Sequence, residues 1–271
     1  MQKDSSPRRQ GLAGRLLGPL INPHPLFRAQ RATLPWLLWF GLPVGFAVTA
    51  LVLRYVSPEA YQWFAADNEF GVGENLTAGL FLLTAPLALW LSFIDGVRQV
   101  TWLRVGFWGF ALLGVLVAGE ETSWGQHFFG WGTPEWMAEV NKQNETNLHN
   151  MAERALDQKP RAIAAALILI GGVILPLWRK WGGLAWLERY PIAAWLMPSA
   201  TLAPAALLVF LPRVLDRIQV WFKVELPFPF DIPTRHHQEM QETFIAITVF
   251  LYIATLVLRA RRWQRGGSAP S

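Results

Sequence analysis

Six apolar stretches, each near the length that crosses a bilayer, constrain this chain more than any other feature. They lie at about 33–54, 72–94, 101–121, 161–178, 191–211 and 238–258. A helix needs roughly 20 apolar residues to cross the hydrocarbon layer. Lipid offers no partner to backbone N–H and C=O groups, so an open sheet would leave them unpaired and a helix does not. The expected fold is an all-α, polytopic transmembrane bundle of about six spans. A basic segment at 1–32 precedes the spanning domain at 33–263, and a short tail follows at 264–271. Pro43, Pro86, Pro176, Pro198 and Pro204 kink these helices or mark their ends.

Charge fixes how such a bundle is oriented. The net charge of +5 and pI near 9.9 raise nucleic acid as a partner. The positions of the charges point to a membrane lipid environment instead. With a cytoplasmic N-terminus, the inner segments hold 15 of the 24 Lys and Arg but only Asp4, Asp95 and Glu188 among the acids. The outer segments hold the other 9 basic residues and 16 of the 19 acids. Short, Arg-rich inner loops are what the positive-inside rule describes, so both termini are expected in the cytoplasm. The start, MQKDSSPRRQGLAGRLLGPLINPHPLF, lacks an uninterrupted apolar core and reads as a loose cytoplasmic tail, not a cleavable signal. There is no cysteine, which excludes disulfides, thiol nucleophiles and thiolate metal sites.

The longer outer segments carry short helices of their own. In GTPEWMAEV, Thr133 is placed to cap a helix with Pro134 at its first position. Asn147 is placed to cap another before Pro160. RVLDRIQVWFKVE reads as an interfacial helix, and LPFPFDIP as an extended strap.

The titratable groups gather on this outer side. Four of the five histidines are there: His127, His149, His236 and His237. Glu74 opens the second span, Glu120 and Glu121 close the third, and Glu239 and Glu242 open the sixth. A charge beside a long apolar run costs roughly 2.5–3.5 kcal/mol to insert, so such residues face a bundle interior or a watery cavity. If helical, Glu120, Ser123 and His127 share one face, as do Glu145, His149 and Glu153, and His236, Glu239 and Glu242. Imidazole and carboxylate ligands suit a divalent metal such as Zn, Mn or Fe. The expected ligands are His149, His237, Glu239, Glu242 and Glu74. Glu120 or Glu121 is the expected base, and Gln126, Asn147 and Trp124 would orient a substrate. The bland alternative is a polar cluster that only holds helices together.

The residues GEETSWGQHFFGWGTPE, followed by NKQNETNLHN, resemble a widespread family of uncharacterised bacterial integral membrane proteins carrying GEE-x-SWGQ and Q-x-E-x-NLHN stretches. GENLTAGLFLL and HQEMQETFIAI add to the likeness. The resemblance implies a multi-pass protein of the bacterial inner membrane and no particular activity. His127 stands where the resemblance implies a basic residue such as Arg.

Three functions are compatible with this pattern. The first is a metal-dependent hydrolase or transferase acting on a lipid or lipid-linked substrate. The second is a non-catalytic subunit or assembly factor. The third is a proton- or cation-coupled transporter, which needs ionisable groups deeper in the spans than this chain provides. No HExxH, GxSxG or Walker motif is present to name a reaction class.

Overall fold

In the computed structural model, residues 23–28, 32–65, 71–141, 144–148, 159–231 and 234–266 are described; the side chains of His127, Thr234, Arg235 and Gly266 are not. The described residues contain no strand. Six helical stretches are long and apolar enough to cross a membrane: Leu37–Val56, Val72–Ser92, Thr101–Glu121, Lys159–Lys180, Pro191–Phe222 and His236–Arg265. We refer to them as the first to sixth spans. The protein is an all-helical, multi-pass membrane protein.

The sixth span is the axis of the bundle. About 72% of its most apolar window is buried, against 22% for the first, third and fourth spans. Its helix runs from Thr234 to Gly266, 33 residues, or roughly 50 Å at 1.5 Å per residue. That exceeds the expected 238–258 because Arg259, Arg261, Arg262 and Arg265 read as loop charges but are good helix formers. Two apolar clusters stack along it. Phe46, Phe81, Phe244 and Leu251 anchor one. Phe27, Leu91, Trp195 and Leu256 anchor the other, at the Arg-rich end.

The second span lies between the third and the sixth. Gly114 sets the closeness of the second and third spans: a Cβ there would stand 2.7 Å from the Phe81 carbonyl oxygen. Small residues let helix backbones approach in lipid, where dispersion and not water drives association. On the other side, Thr77 and Thr243 meet at 3.3 Å between their hydroxyl oxygens, joining the start of the second span to the sixth.

Prolines act unequally. The second span continues through Pro86. In the first and fourth spans a π-helical turn, Leu37–Gly41 or Ile170–Ile174, lies just before Pro43 or Pro176. The fifth span is broken. Its first helix, Pro191–Leu196, stops before Pro198, and helices Ala203–Leu208 and Leu211–Phe222 follow. The carbonyls freed by the break are taken by two side chains of the sixth span. Arg259, 2% exposed, donates to the Trp195 and Met197 carbonyls, the latter at 2.9 Å. Tyr252 donates to Leu196 O at 2.9 Å. Lower down, Gln241 donates to Val209 O at 3.1 Å, where Ala203–Leu208 gives way to Leu211–Phe222.

Three local expectations change. Residues 25–28 are not loose tail: they form a 3-10 turn with Leu26 and Phe27 fully buried. Burying each contributes about 1.5–3 kcal/mol relative to exposure in water. The helix after Thr133 is a single turn, Glu135–Ala138, with Pro134 at its cap and no side-chain cap bond. The strap around LPFPFDIP is not extended throughout: Phe230 N donates to Pro227 O at 2.9 Å across a turn, and Arg54 pins the segment by donating to Pro229 O at 2.9 Å, to Asp231 O at 3.0 Å and to the Asp231 carboxylate at 2.6 Å.

Candidate functional site at the carboxylate-rich end

The third span ends at Glu121 because the next residues leave the right-handed region. Ser123, Trp124 and Gly125 have φ of 45°, 56° and 94°. The left-handed region costs non-glycine residues roughly 1–2 kcal/mol each, so two of these three need support from outside the turn. The segment 141–148 supplies it. Ser123 is fully buried. Its hydroxyl donates to Glu145 Oε2 at 3.1 Å and accepts from Asn147 Nδ2 at 3.0 Å. Asn147 Nδ2 also reaches Glu145 Oε2 at 2.5 Å. Asn141 Nδ2 donates to the Asn147 backbone and side-chain oxygens at 2.9 and 3.0 Å.

A second set of bonds lies beside the first. Gln126 Oε1 accepts from Thr146 N at 2.7 Å, and its Nε2 donates to Thr133 Oγ1 at 3.0 Å. The Thr133 hydroxyl donates to Asn144 O at 2.5 Å. Glu120 Oε1 accepts from Trp124 Nε1 at 2.9 Å, and Oε2 from Leu148 N at 2.6 Å. The two sequence motifs are thus one interlocked clasp. Gln126, Asn147 and Trp124, expected to orient a substrate, all bond within this clasp. The helical face expected for Glu120, Ser123 and His127 does not form, since the turn at 123–125 interrupts it. Residues 145–148 are not helical either, so the face expected for Glu145, His149 and Glu153 does not begin at Glu145. His149 and Glu153 lie outside the described residues.

The sixth span contributes a second group. His236, Glu239 and Glu242 do lie on one helix at the expected spacing. His237 is 2% exposed. Glu242 is ion-paired with Arg161, both side chains being largely sheltered. The His236 ring lies 5.8 Å from that of Tyr61, which stands on the helix Pro58–Ala65. Burial pushes the Tyr61 hydroxyl above its ordinary value of 10.0, and the Arg54 guanidinium opposes part of that rise. Glu74 lies in the first turn of the second span. The Thr243 hydroxyl approaches the Gly73 carbonyl at 3.5 Å, placing that turn beside the Glu239–Thr243 turn.

Both groups occupy the same end of the bundle. The second and third spans run antiparallel, so the ends carrying Glu74 and Glu121 adjoin. A groove of about 460 Å³ runs between them, lined by Asn75, Gly79, Leu82, Val115, Gly119 and Trp124 among others. Its lining is mostly apolar and includes Trp124, whose indole is bonded to Glu120. Among the described residues, no three His, Asp or Glu side chains stand together as a metal-holding group.

Sequence reasoning missed Arg161 and Asn141, and read Thr133 only as a helix cap. Arg161 was visible only as one charge among the outer basic residues. Asn141 and Thr133 have no chemistry of their own to mark them, and matter only through partners elsewhere in the chain.

Fold and site together define an all-helical polytopic membrane protein with a polar, carboxylate-rich end. The chain matches no family model, no curated protein and no solved structure. The resemblance carried by its two motifs rests on those residues alone.

Proposed function

We propose that this protein acts on a membrane lipid or lipid-linked molecule at its carboxylate-rich end, as a hydrolase or group transferase. The observation that carries the reading is the apolar groove between the second and third spans, lined in part by Trp124, the residue bonded to Glu120. Its volume, about 460 Å³, lies within the ordinary range for small-molecule sites. An acyl or prenyl chain fits such a groove with its polar head against the loop. Strained non-glycine residues concentrate at functional sites, and Ser123 and Trp124 adjoin this one.

In this reading Glu120 and the clasp hold the loop, and Glu121 is the base that takes a proton from attacking water or an acceptor hydroxyl. His149, His237, Glu239, Glu242 and Glu74 are the residues that would hold a divalent cation. Such a cation polarises an ester or phosphoryl oxygen and lowers the pKa of bound water. Glu242 already pairs with Arg161, so a cation there would compete with that guanidinium. The location is the inner membrane of a bacterium with both termini cytoplasmic, so the site faces outward, away from soluble nucleotide cofactors.

The test is turnover in proteoliposomes of phosphatidylethanolamine and phosphatidylglycerol with Zn²⁺, Mn²⁺ or Fe²⁺, read by mass spectrometry of the lipids. Wild type forms a cleaved or transferred lipid. Glu121→Gln lowers the rate by about 10²–10⁴-fold, the usual contribution of a general base. A Cβ at Gly79 meets open space, so Gly79→Phe occupies the groove and raises KM more than it lowers kcat. Absence of any product from wild type contradicts the reading.

One observation favours a second reading, a non-catalytic assembly factor. Ser123, Glu145, Asn147 and Asn141 bond chiefly to one another, as a purely structural clasp would. That reading predicts no turnover, no metal, and a Glu120→Gln variant that is only less stable.

A further inference from the structure

The opposite end of the bundle holds a cavity of about 1020 Å³ between the fourth, fifth and sixth spans and the segment around Arg28. Arg28, Arg179, Lys180, Arg259 and Arg262 line it, with Glu188 as the sole acid among its lining residues. The break before Pro198 forms part of its wall, through Pro198, Ser199 and Ala200. Arg259 contributes from the deepest position. It is 2% exposed, and its Nη1 is committed to the Trp195 and Met197 carbonyls. Its Nε is buried with no hydrogen-bond partner among the described residues. Glu188 pairs with Arg179, and neither Arg28 nor Lys180 has a carboxylate partner among the described ion pairs.

We propose that this cavity binds a phosphate-bearing anion, and that the anion is the headgroup of an anionic phospholipid. Basic pockets between spans on the Lys- and Arg-rich side of membrane proteins are suited to such headgroups. Arginine and lysine differ in role there, the guanidinium bonding phosphate oxygens in a fixed fork and the ammonium acting as a point charge. Ser199 adds a hydroxyl, though one already shared with Thr201 at 2.6 Å. The bound headgroup would neutralise the cavity and tie the N-terminal segment to the fourth and fifth spans. This site is separate from the carboxylate-rich end and does not depend on that end being catalytic.

The experiment uses the delipidated full chain in a neutral detergent, with thermal unfolding followed by intrinsic Trp fluorescence. Phosphatidylglycerol, phosphatidylcholine and inorganic phosphate are titrated separately. Phosphatidylglycerol is expected to raise Tm while phosphatidylcholine does not. Arg28 and Lys180 are exposed, so Arg28→Ala/Lys180→Gln folds normally. In that variant the phosphatidylglycerol concentration for half the shift rises at least about tenfold, from about 1 kcal/mol lost per basic residue. If inorganic phosphate gives the same variant-sensitive shift, the anion site stands and its source is a free phosphate. Equal responses to the two lipids, or a double variant that responds like wild type, overturn the proposal.

Discussion

Asn147 donates a hydrogen bond to the Ser123 hydroxyl at 3.0 Å, 24 residues away along the chain, and both are buried. That bond joins the turn closing the third span to the segment leading toward the fourth. It makes the two sequence motifs parts of one object, and the stability of that object is measurable. A lost buried hydrogen bond that strands a partner costs roughly 1–3 kcal/mol. Asn147→Ala is therefore expected to lower stability by about that amount, read as thermal or denaturant unfolding in detergent. Ser123→Ala combined with Asn147→Ala should cost less than the sum of the two, because residues in one network couple. Strict additivity would mean that the clasp is not a unit.

The Arg161–Glu242 pair ties the fourth span to the start of the sixth. Its side chains are 10% and 24% exposed. Removing one member of a sheltered pair leaves the other charge uncompensated, which costs up to about 3–5 kcal/mol when burial is complete. Arg161→Met should destabilise by somewhat less than that. Arg161→Met/Glu242→Met should recover most of the loss, since an apolar pair of similar volume is often neutral. A double variant as unstable as the single one would show that the two side chains act apart.

Two glycines of the third span make opposite predictions. At Gly114 a Cβ would collide with Phe81 O at 2.7 Å, while at Gly109 it would meet nothing within 4 Å. Gly114→Ala should force the second and third spans apart and cost about 1–3 kcal/mol. Gly109→Ala should be neutral or stabilising by up to about 1 kcal/mol, as helix propensity favours alanine. Equal effects from the two would contradict the packing described.

The break in the fifth span should depend on its two donors unequally. Tyr252→Phe removes one neutral bond, to Leu196 O, at a cost of about 1 kcal/mol. Arg259→Met strands the carbonyls of Trp195 and Met197 in a buried setting and should cost more, in unfolding measured as above. An Arg259→Met variant no less stable than Tyr252→Phe would mean that other groups satisfy those carbonyls.

Much of the fold was legible because membrane insertion is a local property. Length and hydropathy placed six helices within a few residues of where they lie, apart from the fifth and sixth. The sixth was read short because its terminal arginines look like loop, and the fifth is followed, as RVLDRIQVWFKVE suggested, by a helix of its own, Leu211–Phe222. The prolines announced a break near residue 198 but not its repair, which depends on Arg259 from more than 60 residues away. At the candidate site the residue types were readable and their partnerships were not. Helical periodicity was carried past Glu121 into a left-handed turn that only Gly125 signals. Glu145 and Asn147 were visible as polar residues, yet their bond to Ser123 is a tertiary fact.

The central proposal is that the carboxylate-rich end holds a divalent metal with His149 among its ligands, and metal content tests it most directly. Elemental analysis of protein loaded in turn with Zn²⁺, Mn²⁺ and Fe²⁺, then freed of excess metal, should give about one ion per chain for at least one of them. His149→Ala and Glu239→Gln should each lose that ion while unfolding at a temperature close to that of wild type, and Glu121→Gln should keep it. Wild-type protein that retains none of the three, or a His149→Ala or Glu239→Gln variant that binds as wild type does, would contradict the account.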